Sequence, residues 1–410
     1  MEGFFTKQET QSVTRPDGKT YSCFSCGLYK SGCATPKMKP SGQFKKGILN
    51  IFDFPTPKGD LKGTIFSGRE LGFVKDAFAH FDIDLERDCL NTSVLRCTPY
   101  DEKGELILDK DKKMAHHISS CNILLMKLIQ QYKPKLVLLH GQLAVRSLIG
   151  NFYKDDLNTI EQWRGFVIPD QTLKCYIAPL YSVSYVLSKD LPHLYLLYAQ
   201  DLERALNARK NVFPIQKPPV IKTITKLDVL RDIKFGTIAF DYETTGLKAQ
   251  AEGHRIVCCS VATSPDEVYV FMMPKIDDNQ EPFIDLLRNK AVKKMAHNIK
   301  FEESWSFNIL GTRVQSWYWD SMLRAHILDN REGITGLKFQ AYVNFGVEDY
   351  SSEISPYLQA EDANSKNKID ELLKKPGGKE KLLKYCALDS IYEYRLALLQ
   401  QNEFNNVLPF

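Results

Sequence analysis

The sequence contains no run of about 18 or more apolar residues, the length a helix needs to cross a bilayer, so no membrane span is expected. The opening Met1-Glu2-Gly3-Phe4-Phe5-Thr6-Lys7 lacks the basic start and apolar core of a secretory leader, which points to the cytoplasm. There is no internal repeat, no long low-complexity tract and no phosphate-binding loop of the Gly-rich, Lys-Ser/Thr type, so neither a solenoid nor a nucleotide switch of that type is indicated. Net charge is also scarce, at +4 over 410 residues, and it is unevenly spread. Residues 1–210 hold 29 Lys and Arg against 23 Asp and Glu, a balance of +6, whereas 211–410 hold 25 against 27, a balance of −2. A modestly basic half suits contact with a phosphate backbone. With 43% hydrophobic and 25% charged residues, the chain has a globular composition and is long enough for two cores.

Ten cysteines without a secretory leader argue for metal binding or buried thiols rather than disulfides. Cys23 and Cys26 stand three apart, a spacing that grips one metal or one cluster corner, with Cys33 close behind. Cys258, Cys259 and Cys386 lie in apolar runs and read as core. Cys89 and Cys175 also read as structural.

The densest chemical signal is Phe240-Asp241-Tyr242-Glu243-Thr244-Thr245-Gly246-Leu247, which follows the apolar stretch from Gly236 to Ala239. It puts two carboxylates on one face at the end of a buried strand. Burying both without a cation costs several kcal/mol each, to order of magnitude, so a divalent ion is implied. Ala296-His297-Asn298-Ile299-Lys300-Phe301-Glu302 brings a third acid to a strand-to-helix junction, and Lys384-Tyr385-Cys386-Ala387-Leu388-Asp389 brings a fourth, one turn after a tyrosine on the same helix face.

In this order the acids and the tyrosine resemble the three motifs of the DEDDy 3'-5' exonucleases, the proofreading domain that accompanies family A DNA polymerases. The resemblance spans roughly Thr223 to Gln401 and includes Trp319-Asp320-Ser321-Met322-Leu323 and Gly336-Leu337-Lys338. It implies catalytic Asp241, Glu243, Glu302, Tyr385 and Asp389, two Mg2+ or Mn2+ ions held by the four acids, and supporting positions at Asn298 and Asp320. Glu302 stands where better-known members carry Asp, a side chain shorter by about 1.5 Å.

Upstream, Lys46 to Pro55, Gly63 to Gly68, Thr92 to Pro99 and Lys133 to Gly141 resemble family 4 uracil-DNA glycosylases over about Tyr21 to Leu206. That resemblance implies a [4Fe–4S] cluster on Cys23, Cys26, Cys97 and Cys121, with zinc as the alternative. Cys33 is an extra thiol, and Asp101 to Lys113 is a charged insertion between Cys97 and Cys121. Phe66 matches the ring that stacks on the flipped base, and Asp53 matches an acid of the first motif. The uracil-reading amide is replaced by Ser93, and the histidine that stabilises the leaving anion by Ser182. Asn91 lies two residues too early to substitute. His116 and His117 fall in the charged insertion and read as solvated surface.

The expected architecture is α/β in two domains: a flexible lead (1–20), a glycosylase-like α/β/α iron–sulfur domain (21–208), a proline-bearing linker (209–222) and a ribonuclease H-like exonuclease domain (223–410). Some large-phage DNA polymerases resemble this arrangement. The expected function is therefore metal-dependent proofreading of single-stranded or primer-template DNA in a phage-infected host cytoplasm, alongside a polymerase subunit or domain, with the first domain an inactive DNA-binding or polymerase-docking module. The alternatives are an active uracil-DNA repair enzyme, an RNA-trimming nuclease of the same superfamily, and a non-catalytic polymerase scaffold.

Overall fold

The computed structural model describes residues 12–14, 18–101, 103–107, 112–275 and 279–407. They divide into two compact units, Met1–Ile215 with Tyr342–Glu348, and Gln216–Ala341 with Asp349–Phe410. Most of the expected lead and part of the charged insertion lie outside the described residues. From the lead, β1 (Val13–Thr14) pairs antiparallel with β2 (Thr20–Tyr21), which straddles its expected end. No helix among the described residues is long and apolar enough to cross a membrane.

The first unit is built on a five-stranded sheet of β3 (Ile48–Phe52), β4 (Cys89–Ser93), β5 (Leu136–His140), β6 (Ile168–Asp170) and β7 (Cys175–Leu180), in the order β4-β3-β5-β7-β6. All neighbours are parallel except β6 and β7. Every residue of these strands is buried, and β3, β5 and β7 accordingly read as mostly apolar runs rather than alternating ones, while β4 buries Asn91, Thr92 and Ser93 and β6 ends in Asp170. Helices 69–79, 183–189 and 192–208 carry the side chains of one core cluster against the sheet, among them Val74, Phe78, Val186, Tyr198 and Leu202.

In the second unit six strands stand in the order β13-β12-β9-β10-β11-β8. These are β8 (Val220–Thr223), β9 (Gly236–Thr244), β10 (Ile256–Ser264), β11 (Glu267–Met272), β12 (Val292–Ala296) and β13 (Trp317–Asp320). β9, β10 and β11 form an antiparallel meander, while β12 runs parallel to β9 and to β13. Val220–Thr223, at the end of the proline-bearing stretch, adds a parallel edge strand beside β11. The 30-residue helix Gly378–Val407 packs on the central strands; its Leu382, Leu383, Cys386 and Ile391 join Ala239, Cys258, Ala262 and Met295 in one core cluster. The helix is therefore laid across the strand that carries the first two acids.

Candidate active site

Asp241 and Glu243 occupy alternate positions of β9, opposite Ser260 and Cys258 of β10. Their shared face looks onto the long helix, which hydrogen bonds seat there. The Ser260 hydroxyl donates to the Cys386 carbonyl at 2.7 Å and lies 2.6 Å from the Ser390 hydroxyl. One turn of helix thus carries Tyr385, Cys386 and Asp389 over the acids. Ligand atoms of Asp241, Glu243 and Cys386 lie within 4.8 Å of one another. The Cys386 thiol also approaches the Asp241 carbonyl at 3.7 Å.

Glu243, Glu302 and Asp389 are buried, at 7%, 2% and 5% exposure, while Asp241 keeps part of its surface open. Burial is the main force raising Asp241, Glu243 and Glu302 well above the usual carboxylate range, and the like charges of neighbouring acids add to it. The Glu302 Oε2 atom is buried with no hydrogen-bond partner among the described residues. Carboxylates so placed, acceptor-only and lacking donors, fit a divalent cation, and oxygen donors suit Mg2+ or Mn2+.

Asp389 has two protein partners on one oxygen. Tyr350 donates to its Oδ1 at 2.8 Å, and the Lys338 ammonium pairs with the same atom. The ammonium also sits 4.3 Å from the centre of the Tyr385 ring and 4.8 Å from that of Tyr350. Burial, then Asp389, Glu243 and Asp241, raise the Tyr385 hydroxyl well above its ordinary value. It therefore stays protonated at neutral pH, able to orient a water but not to act as a base.

Asp320 and Asn298 shape the junction that delivers Glu302. Asn298 sits at φ 85° and ψ 67°, left-handed backbone that Asn tolerates better than most residues, and turns β12 into the helix Ile299–Leu310. The Asp320 carboxylate accepts from the backbone N–H groups of Asn298 at 3.3 Å and Ile299 at 2.9 Å. It also caps its own helix, Ser321–Leu328, through Met322 and Leu323, each at 3.0 Å. One side chain thus closes two helix starts. Beside it, His297 Nδ1 lies 2.8 Å from the Ser321 hydroxyl, and burial lowers this imidazole to about 4.

In the first unit the thiols gather in contacts rather than in one tight group. Cys26 meets Cys121 and feels Cys23; Cys33 meets Cys97, which feels Cys121. The Cys97 sulfur also accepts the Lys37 N–H at 3.2 Å. Cys33 therefore belongs to the same neighbourhood as the four cysteines expected there. The reading of His117 as solvated surface is corrected: it is 9% exposed, with Nδ1 3.3 Å from the Cys26 sulfur. The helix Lys112–Tyr132 turns Met114, His117, Cys121 and Leu125 inward together, and that spacing outweighs the charge of the preceding loop. His116 is partly exposed, its ring 5.3 Å from that of Tyr21. A cavity of about 660 Å³ adjoins these thiols, lined by Cys26, Tyr100 and His117 among others.

The four residues at the base-pocket positions are engaged within the unit. Asp53 accepts the Ala144 N–H at 3.3 Å and lies so close to Gly141 that a Cβ there would come within 2.3 Å of its carboxylate. Phe66, 7% exposed, packs edge-on against Phe52 at 4.7 Å. The Ser93 hydroxyl donates to the Leu95 carbonyl at 2.8 Å, and that of Ser182 caps the helix Val183–Lys189 by accepting from Tyr185. Asn91 points into the core, bonded to Asn50 at 2.8 Å and to the Leu85 carbonyl at 2.9 Å. The neighbouring cavity of about 500 Å³ is walled by Thr56, Ser67, Arg69 and Ser184, among others, and by none of the four.

Residues 221–403 match the family model of a 3'-5' exonuclease of the DNA polymerase A type, and residues 52–203 match that of the uracil DNA glycosylase superfamily. No curated protein matches the chain. Among solved structures, Brucella melitensis NrnC with bound Mg2+ is similar at 16% identity over 46% of this chain and 81% of that one, with a TM-score of 0.34. Escherichia coli RNase D, described as an exoribonuclease involved in structured RNA processing, is similar at 18% identity over 46% and 47%, with a TM-score of 0.34. Pol1 from M. smegmatis in complex with a DNA primer-template is similar at 11% over 46% and 28%, with a TM-score of 0.33. The fold is α/β: the first sheet belongs to a uracil-DNA glycosylase-like domain and the second to a ribonuclease H-like exonuclease domain.

Proposed function

We propose that the second unit is a two-cation 3'-5' exonuclease that trims single-stranded or primer-template DNA, releasing 5'-mononucleotides as the proofreading partner of a polymerase in a phage-type replication system. The observation that carries this reading is the convergence of Asp241 and Glu243 from β9 with Tyr385 and Asp389 from the long helix, and with Glu302 buried beside them. Asp241, Glu243 and Asp389 would hold one cation, and Asp241 with Glu302 the other. When bound, the pair supplies activation of water at neutral pH and offsets charge on the departing 3'-oxygen. Tyr385 donates its proton to orient the attacking water. Asp320 and Asn298 keep the Glu302 helix start in place.

The first unit, in this reading, is an inactive glycosylase-like module that binds DNA or docks a polymerase, stapled by a [4Fe–4S] cluster on Cys23, Cys26, Cys97 and Cys121, with zinc as the alternative. Its superfamily match favours a DNA substrate over RNA for the chain as a whole. Replacing one oxygen of the shared ligand, as in Asp241→Asn, should reduce hydrolysis of a 5'-labelled DNA primer by at least about a thousandfold, the scale of loss for an essential catalytic group. A variant as fast as wild type refutes the assignment. Faster trimming of a matched RNA strand by the wild type selects the RNA-processing alternative.

A further inference from the structure

The helix stripe that carries Tyr385 and Asp389 continues to a third polar residue, Glu393, one further turn along. Its side chain is 1% exposed, and its Oε1 has no hydrogen-bond partner among the described residues. Burial acts on it most strongly, and the leading charges beside it are negative: Glu302, then Asp241, Asp320 and Asp389. Any apolar residue at this position would pack in the helix without that cost, so a carboxylate here needs a compensating partner. Glu302 is in the same condition, 2% exposed with an orphaned Oε2. Among the described residues the tight donor group is Asp241, Glu243 and Cys386, and Glu302 is not part of it.

We propose that Glu393 is a fifth carboxylate ligand, which joins Glu302 in holding the second divalent cation. This rests on the two-cation reading of the site. Two side chains, each a methylene longer than Asp, close on the ion from the helix starting at Ile299 and from the long helix, so the set there is Asp241, Glu302 and Glu393.

The test is a Mn2+ titration of the chelator-stripped full chain, with bound ion counted by electron paramagnetic resonance. Wild type should bind two ions at the acidic site. Glu393→Gln, which keeps shape but replaces one acceptor oxygen with an NH2 donor and removes the charge, should retain one with affinity within about threefold and weaken the other at least tenfold. Glu393→Leu should lose that ion altogether, and melting curves in chelator establish that both variants fold. Two ions bound by Glu393→Gln with wild-type affinities would overturn the inference. Failure of the underlying reading looks different: wild type binds no ion at this site, or Asp241→Asn binds both unchanged.

Discussion

Asp320 is the residue whose removal separates architecture from chemistry most cleanly. Its two oxygens accept four backbone N–H groups, from Asn298, Ile299, Met322 and Leu323, at 2.9 to 3.3 Å. Removing a capping carboxylate costs about 0.5–2 kcal/mol of stability per helix. Asp320→Ala undoes two caps at once, so about 1–4 kcal/mol is expected, towards the upper end because three of the four bonds are part-buried. Asp320→Asn keeps Oδ1, which serves Met322 and Leu323, but turns the oxygen facing Ile299 into a donor; about half of the loss should follow. The assay is urea unfolding of the full chain by tryptophan fluorescence. Trp305, Trp317 and Trp319 all lie in the second unit, against Trp163 alone in the first, so the signal reports the right transition. Because Glu302 lies three residues beyond Ile299, fraying of that first turn should also raise the Mg2+ concentration needed for half-maximal cleavage. A loss below about 0.5 kcal/mol for Asp320→Ala, or equal losses for both variants, would refute the double-cap argument.

Two further outcomes bear on the first unit. Wild-type protein incubated with uracil-containing duplex, followed by alkali, should give no strand breaks above background, because Ser93 and Ser182 spend their hydroxyls on Leu95 and on a helix cap; breaks at an enzymatic rate refute this. Protein purified without oxygen should carry about four iron and four labile sulfide per chain, by the stoichiometry of a four-cysteine cluster, and Cys97→Ala should lose both. One zinc per chain instead would establish the alternative.

The parts of the fold legible in the sequence are those where one force acts alone. Ile48–Phe52 and Leu136–His140 are mostly apolar runs, broken only by Asn50 and the terminal His140, because both faces of a parallel strand are covered. Asp241 and Glu243 were legible for the opposite reason, as charges ending such a run. Lys338 and Tyr350 were not: each reaches Asp389 across 51 and 39 residues, and only the packing of their segments on the long helix makes them partners. Cys386 reads as core and is core, at 0% exposure, yet its sulfur faces Asp241. For His117 and Glu393 a signal existed. Each stands at helical spacing from a residue already singled out, His117 four before Cys121 and Glu393 four after Asp389, and spacing on a helix is a stronger guide to burial than the charge of nearby residues.

The two units differ in what they do with their buried polar atoms. In the glycosylase-like unit, Asn91 is bonded to Asn50, His140 sits between Asn50 and Tyr198, and the serines at the pocket positions are committed to backbone carbonyls and amides. Such a network stabilises one conformation of those side chains. In the exonuclease unit the fold does the reverse: Ser260, Cys386 and Ser390 lock the long helix to the sheet, and Asp320 locks two more helix starts, while Glu302 and Glu393 keep acceptors with no donor among the described residues. Rigid supports around uncommitted acceptors are what a cation site requires, since the ion must replace its hydration shell with oxygens already held in place. The side chains at the base-pocket positions of the first unit are instead held by hydrogen bonds and packing within the unit, so the contrast between the two units lies in how their polar atoms are committed.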